Sequence, residues 1–156
     1  MKRSELRENI FKLLFRVEFN KEEDMVEQVN LYFDDIPLEG AAVISGKSQD
    51  FIQEKYKQIV NVLPEIDSKI EEVAEGWTIQ RMGKVELTIL RLALFEIMYD
   101  DDVPTPVAIN EAVELAKKFG GDDSPAFING ILGKIVNKYI LFSVVVQVKL
   151  WQTHIR

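Results

Sequence analysis

Residues 84–99, KVELTILRLALFEIMY, constrain the fold of this chain more than any other segment. Apolar side chains occur around almost the whole circumference of a helix drawn through this segment, and the alternation with period two that marks a half-buried strand is absent. A helix that is apolar on most sides has to be covered by other elements. The segment therefore predicts a central α-helix with further helices packed around it.

The rest of the chain also shows the periodicity of amphipathic helices. Apolar stripes predict a first helix capped by Ser4, a short second helix from Met25, a third helix capped by Ser48 and a fourth helix from Ile66. A loop is expected over residues 38–47, which contain two glycines. Because no strand pattern precedes the tail, the sequence predicts an all-α fold.

Two more amphipathic helices are predicted within residues 103–136. Gly120-Gly121 is expected to end the first of them through a residue with positive φ. Ser124-Pro125 combines a favoured cap residue with a favoured first-turn residue, so the second helix is expected to start there. Gly130 and Gly133 lie inside the second helix and are expected to allow close approach of another helix backbone.

A length of 156 residues fits one compact domain, predicted here over residues 1–140. The tail at 141–156 differs in composition, because it starts with an uncharged, β-branched stretch. Such a segment can extend the last helix, add a strand, pair with another copy or be a non-native extension. The sequence leaves these four alternatives open.

Composition excludes several classes of function. The chain has no cysteine, which rules out disulfides and thiolate metal sites, and its one histidine, His154, is the third residue from the end. The loop at 100–102 has three aspartates but lacks the glycine of a calcium-binding loop. No signal peptide and no membrane-spanning run is found. We therefore expect a cytoplasmic protein that is not an enzyme and has no cofactor, metal or membrane partner.

Charge is distributed unevenly around a net value of −7. Residues 1–17 hold five basic and two acidic side chains, and residues 79–92 hold three basic side chains and one acidic. Two basic islands in an acidic chain could bind a polyanion locally if folding brings them together. The alternative is an unevenly charged surface that binds no polyanion.

Three strings carry a specific resemblance: ILRLALFE at 89–96, PVAINEAVELAKKFG at 106–120 and DSPAFINGIL at 123–132. With Trp77 and Arg81 before them, they closely resemble the NusB family of transcription antitermination factors, and the similarity extends over about residues 3–140. The resemblance implies two small helical subdomains, at about 1–75 and 76–140, with helices packed perpendicular to one another. It also implies binding of boxA-type single-stranded RNA in ribosomal RNA leader transcripts together with the ribosomal protein NusE. The complex would act on RNA polymerase elongation with other Nus factors.

The candidate RNA-binding residues combine this resemblance with the chemistry of single-stranded RNA recognition, in which cations contact phosphates and aromatic rings stack on bases. Arg3 and Arg7 lie one helical turn apart and can contact neighbouring phosphates, although Ser4 stands where many family members carry another arginine. Asp123 matches a family position close to RNA, where its charge would weaken binding through repulsion. The predicted RNA-binding residues are Lys2, Arg3, Arg7, Phe15, Arg81, Lys84, Asp123 and Phe127.

The resemblance places the protein partner on the second subdomain, where acidic side chains complement a basic ribosomal protein. The predicted partner-binding residues are Glu86, Glu96, Glu111 and Glu114. Two alternatives stay open: a helical protein–protein adaptor with no RNA binding of its own, and a homodimer that hides the RNA face.

Overall fold

The computed structural model describes residues 1–35 and 44–141, and these residues fold as seven α-helices without a strand. The helices are α1 (Arg3–Phe15), α2 (Met25–Asp35), α3 (Gly46–Asn61), α4 (Leu63–Val73), α5 (Lys84–Tyr99), α6 (Thr105–Phe119) and α7 (Ser124–Ile135). Most of the predicted loop at 38–47 and nearly all of the tail, with His154, lie outside the described residues. The prediction of an all-α fold is confirmed.

Helix α5 has the predicted bounds and lies at the centre of the molecule. Every residue from Leu87 to Glu96 is buried, because α1, α3, α4, α6 and α7 all pack against this helix. Within residues 1–35 and 44–141, no helix is both long and apolar enough to cross a lipid bilayer.

The central helix also buries charge. The guanidinium of Arg91, which the sequence analysis counted in a basic island, donates hydrogen bonds of 2.8 Å to both carboxylate oxygens of Asp67 on α4. It also pairs with Glu18 in the 3₁₀ turn Arg16–Phe19 that follows α1. Arg91 therefore joins three elements inside the fold and adds no cation to the surface.

The N-caps of α1 and α3 lie two and three residues before the predicted ones. Lys2 occupies the N-cap position of α1, so that Ser4 lies in the first turn. Ser45, and not Ser48, caps α3: its hydroxyl accepts the backbone N–H of Ser48 at 3.2 Å. Since several hydroxyl residues can fill one cap, the local sequence alone does not select among them.

The turn between α6 and α7 is built by side-chain contact and does not use a positive φ. Gly120 has φ −95°, and Gly76 is the glycine with positive φ among the described residues. A Cβ on Gly120 would lie 2.6 Å from the Cβ of Ser124 and 2.9 Å from the carbonyl oxygen of Ala116. The prediction of a left-handed glycine at this turn was wrong: glycine is needed here for space.

The expectation for the two glycines inside α7 was also wrong. Gly130 and Gly133 are exposed, and a Cβ built on either of them would meet no atom within 4 Å. No helix of the described chain approaches them closely.

Candidate nucleic-acid interface

The amino-terminal basic island, defined as Lys2, Arg3 and Arg7, divides into two parts. Lys2 and Arg3 are exposed at the start of α1. Arg7 lies one turn further, with its side chain 11% exposed, and donates hydrogen bonds of 2.9 Å and 2.8 Å to the carboxylate of Glu96 on α5. Its guanidinium is also 3.6 Å from Glu111 on α6.

This contact joins a predicted RNA-binding residue to two predicted partner-binding residues. Burial lowers the pKa of Arg7, but the hydrogen bond and the charge of Glu96 outweigh burial, so the net shift of the pKa is upward. The side chain of Glu96 is 5% exposed. Arg7 and Glu96 therefore hold α1 on α5, and either residue would have to leave the other to bind a ligand directly.

Phe15 and Lys84 belong to one surface, although they are far apart in the sequence. The ring of Phe15 contacts the ring of Phe19 edge to face, with 5.0 Å between the centroids. The Lys84 ammonium lies 5.5 Å from the centroid of the Phe19 ring and pairs with Glu18 at 3.3 Å. Phe19 is 58% exposed, so this surface presents an aromatic ring beside a cation.

The sequence analysis missed Phe19. The signal was present, because Phe11, Phe15 and Phe19 follow one another at intervals of four residues. This spacing places them on one helical face.

A second aromatic surface lies at the start of α7. The ring of Phe127 packs edge to face on the indole of Trp77, with 6.1 Å between the centroids. Trp77 is 51% exposed, follows the left-handed Gly76 and precedes the 3₁₀ turn that ends at the exposed Arg81. Phe127 therefore has an aromatic neighbour, Trp77, that entered the sequence analysis only as part of the family resemblance.

The loop before α7 places Asp123 and Glu86 in different environments. Asp123 is exposed and makes no side-chain cap. Ser124 is the first residue of α7 and not its cap: its hydroxyl accepts the Gly121 N–H at 3.0 Å and donates to the Glu86 carboxylate. Glu86, a predicted partner-binding residue, is thus occupied in fixing the loop to α5.

The outer face of α1 and α6 carries two lysines outside the predicted set. Lys118 pairs with Glu8 at 2.8 Å, and Lys12 pairs with the same carboxylate at 3.4 Å. Both ammonium groups lie within 6 Å of the centre of the Phe119 ring. Burial raises the pKa of Glu8, but the hydrogen bonds and charges of the lysines outweigh burial and lower it overall.

Of the four carboxylates predicted to bind the partner, Glu114 alone is exposed, and it pairs with Lys117 at 3.0 Å. Among the described residues, no group of three or more histidine, cysteine, aspartate or glutamate side chains could hold a metal ion.

Comparison with known proteins identifies the family. The profile of the NusB family matches residues 4–137. The chain belongs to the NusB family. The transcription antitermination protein NusB of Lachnoclostridium phytofermentans is 47% identical over 137 residues, which are 88% of this chain and 100% of that protein. The resemblance predicted from the three sequence strings is confirmed, and the prediction of a role in transcription antitermination is confirmed for the family.

Solved structures of NusB proteins share the fold. NusB of T. maritima superposes with a TM-score of 0.77 at 31% identity, covering 88% of this chain and 92% of that one. The NusB fold is also found in a crystal structure of the antitermination factors NusB and NusE in complex with dsRNA. That match has a TM-score of 0.70 at 22% identity and covers 88% of this chain and 97% of the other.

Proposed function

We propose that this protein is a transcription antitermination factor that binds boxA-type single-stranded RNA together with NusE and acts on the elongating RNA polymerase in the cytoplasm. Family membership over residues 4–137 carries this proposal. The existence of a complex between a NusB protein, NusE and RNA supports it. No catalytic role is assigned to any residue.

The geometry favours a division of roles among the predicted RNA-binding residues. Lys2, Arg3 and Arg81 are exposed and can approach phosphates directly. Arg7 would act mainly by holding α1 in place, because its guanidinium is occupied by Glu96. Phe127, beside Trp77, offers a ring for stacking, and Asp123 would limit affinity by repelling phosphates.

NusE would dock on the second subdomain at the exposed Glu114, with Glu86, Glu96 and Glu111 as the other predicted contacts. The support is charge complementarity with a basic ribosomal protein. Lys84 stands two residues before Glu86 in the sequence. The surface that Lys84 forms with Phe15 and Phe19 adds the exposed ring of Phe19, and exposed aromatic rings are enriched at protein interfaces. We also propose that the chain divides into two subdomains at about residue 75.

Binding of a boxA-type RNA by the purified protein, measured with and without NusE, tests the proposal. We expect binding that falls with salt and becomes tighter with NusE. A protein that binds NusE but leaves RNA affinity unchanged would instead be an adaptor. Light scattering on the protein with and without residues 141–156 would show whether a homodimer hides the RNA face.

A further inference from the structure

A cavity of about 710 Å³ lies between α1, α3, α5 and the start of α6. Its volume falls within the range of pockets that hold small organic ligands. It is lined on one side by Arg3 and Arg7, two of the predicted RNA-binding residues, and on the other by Phe51 of α3. The four helices that form its walls are packed on one another, so the cavity is part of the folded scaffold.

Two large apolar side chains of this cavity are open to solvent. Phe51 is 47% exposed and Val107 is 43% exposed, although both line the cavity wall. The Lys55 ammonium, which also lines the cavity, lies 5.4 Å from the centroid of the Phe51 ring and pairs with Asp100. Phe51 therefore gives the cavity wall a half-exposed aromatic ring with a cation beside it.

The polar groups at the cavity include both a donor and acceptors. Arg3 is exposed, and the structure gives its side chain no ion pair or hydrogen bond with the described residues. Asp102 is exposed as well, and Glu111 has only the distant contact of 3.6 Å with Arg7. Two ion pairs occupy the other charged side chains of the cavity: Arg7 pairs with Glu96, and Lys55 pairs with Asp100.

We propose that this cavity binds one unpaired nucleobase of the RNA. The base would stack on Phe51, its phosphate would contact Arg3, and an exocyclic amino group would donate to Asp102 or Glu111. Uracil has only its ring N3–H to offer a carboxylate, so a base with an exocyclic amino group (adenine, guanine or cytosine) is the expected occupant. This inference rests on the proposed RNA-binding function and adds a base-specific site to it.

The charges of the cavity favour a base over a side chain of a protein partner. Three cations and four carboxylates line it, so that the formal charge is −1. An anionic group would be repelled by the carboxylates, and a cationic one would meet the unpaired Arg3. A neutral ring with an anionic phosphate attached satisfies both conditions, because the ring enters the cavity and the phosphate stays at Arg3.

Abasic substitution tests the proposal. Each base of a boxA-type RNA is replaced in turn by an abasic nucleotide, and affinity in the presence of NusE is measured for the parent, Phe51→Ala, Phe51→Tyr and Leu31→Ala, where Leu31 is another exposed apolar side chain. For the parent we expect one position at which loss of the base weakens binding about 5- to 150-fold, the range for stacking of one base on an aromatic ring. That position should become insensitive in Phe51→Ala and stay sensitive in Phe51→Tyr and Leu31→Ala. Uracil placed there should bind more weakly than an amino-bearing base.

The outcomes separate this inference from the proposed function. If the parent binds RNA but Phe51→Ala keeps the same profile of abasic effects, the cavity does not hold a base. If Phe51→Ala weakens binding of NusE and leaves the RNA profile unchanged, the cavity serves a protein partner and the inference is overturned. Failure of the parent to bind RNA under any condition would overturn the proposed function as well. A thermal melt of Phe51→Ala that matches the parent shows that the fold is kept, as expected for a half-exposed side chain.

Discussion

At the scale of single residues, two arginines one helical turn apart are expected to have separate roles. Arg3→Ala should lower RNA affinity and reduce the slope of log affinity against log salt by about 0.7, because one phosphate contact is lost. Its free energy of unfolding should stay close to that of the parent. Arg7→Ala should instead lower the free energy of unfolding by about 3 kcal/mol, because it leaves the buried Glu96 carboxylate without its partner.

Salt titration of RNA affinity and urea denaturation of both variants measure the two effects. Arg7→Ala/Glu96→Gln serves as the control, since removing the charge of both partners should recover part of the lost stability. An Arg7→Ala protein as stable as the parent, with the reduced salt slope expected for Arg3→Ala, would show that Arg7 contacts phosphate and does not hold α1.

The sequence shows which residue types are present at this scale, but not which partner each of them finds. Arg3 and Arg7 have the same local pattern, and only the position of Glu96, 89 residues away from Arg7, separates them. Ser45 and Ser48 compete for one helix cap in the same way, because both are suitable and three residues apart. Local sequence cannot resolve either choice.

At the scale of elements, the junction of α6 and α7 depends on the absence of a side chain at Gly120. Gly120→Ala should lower the free energy of unfolding by about 1–3 kcal/mol, because the new Cβ would overlap Ser124 and the carbonyl of Ala116. Gly121→Ala is the matched control: its Cβ would meet nothing within 4 Å, so stability should change little. Urea denaturation measures both, and equal stabilities would show that the loop relaxes without cost.

A helix could be predicted from the sequence where nearly all of its side chains are buried. Helix α5 begins and ends where expected, because an apolar segment of 16 residues has no other place than the core. The glycines of α7 were misjudged for the opposite reason: a glycine in a helix signals either close packing or an open surface, and periodicity does not distinguish them. The pair of Trp77 and Phe127 was out of reach as well, since it depends on how α4 and α7 are placed.

At the scale of the whole molecule, carboxylates link the amino-terminal helix to the core. Glu18, just after α1, accepts hydrogen bonds from Arg91 and Lys84 of α5, and Glu8 accepts them from Lys118 of α6. Burial raises the pKa of each carboxyl, but the hydrogen bonds and charges of these partners outweigh it, so that both pKa values lie below the usual 4.5. The unfolded chain therefore binds protons at a higher pH than the folded protein does.

This difference sets how stability depends on pH. The contribution of Glu8 and Glu18 to the free energy of unfolding is fully present above pH 4.5 and is lost as the pH falls through their lowered pKa values. We expect Glu8→Gln/Glu18→Gln to be less stable than the parent at pH 7, and the difference should shrink as the solution is acidified below pH 4.5. Glu22→Gln, which removes a charge from an exposed position, should follow the parent at every pH. Urea denaturation from pH 7 to pH 3 measures the profiles. A stability difference that stays constant over this range would mean that the bridges do not link α1 to the core through their charge.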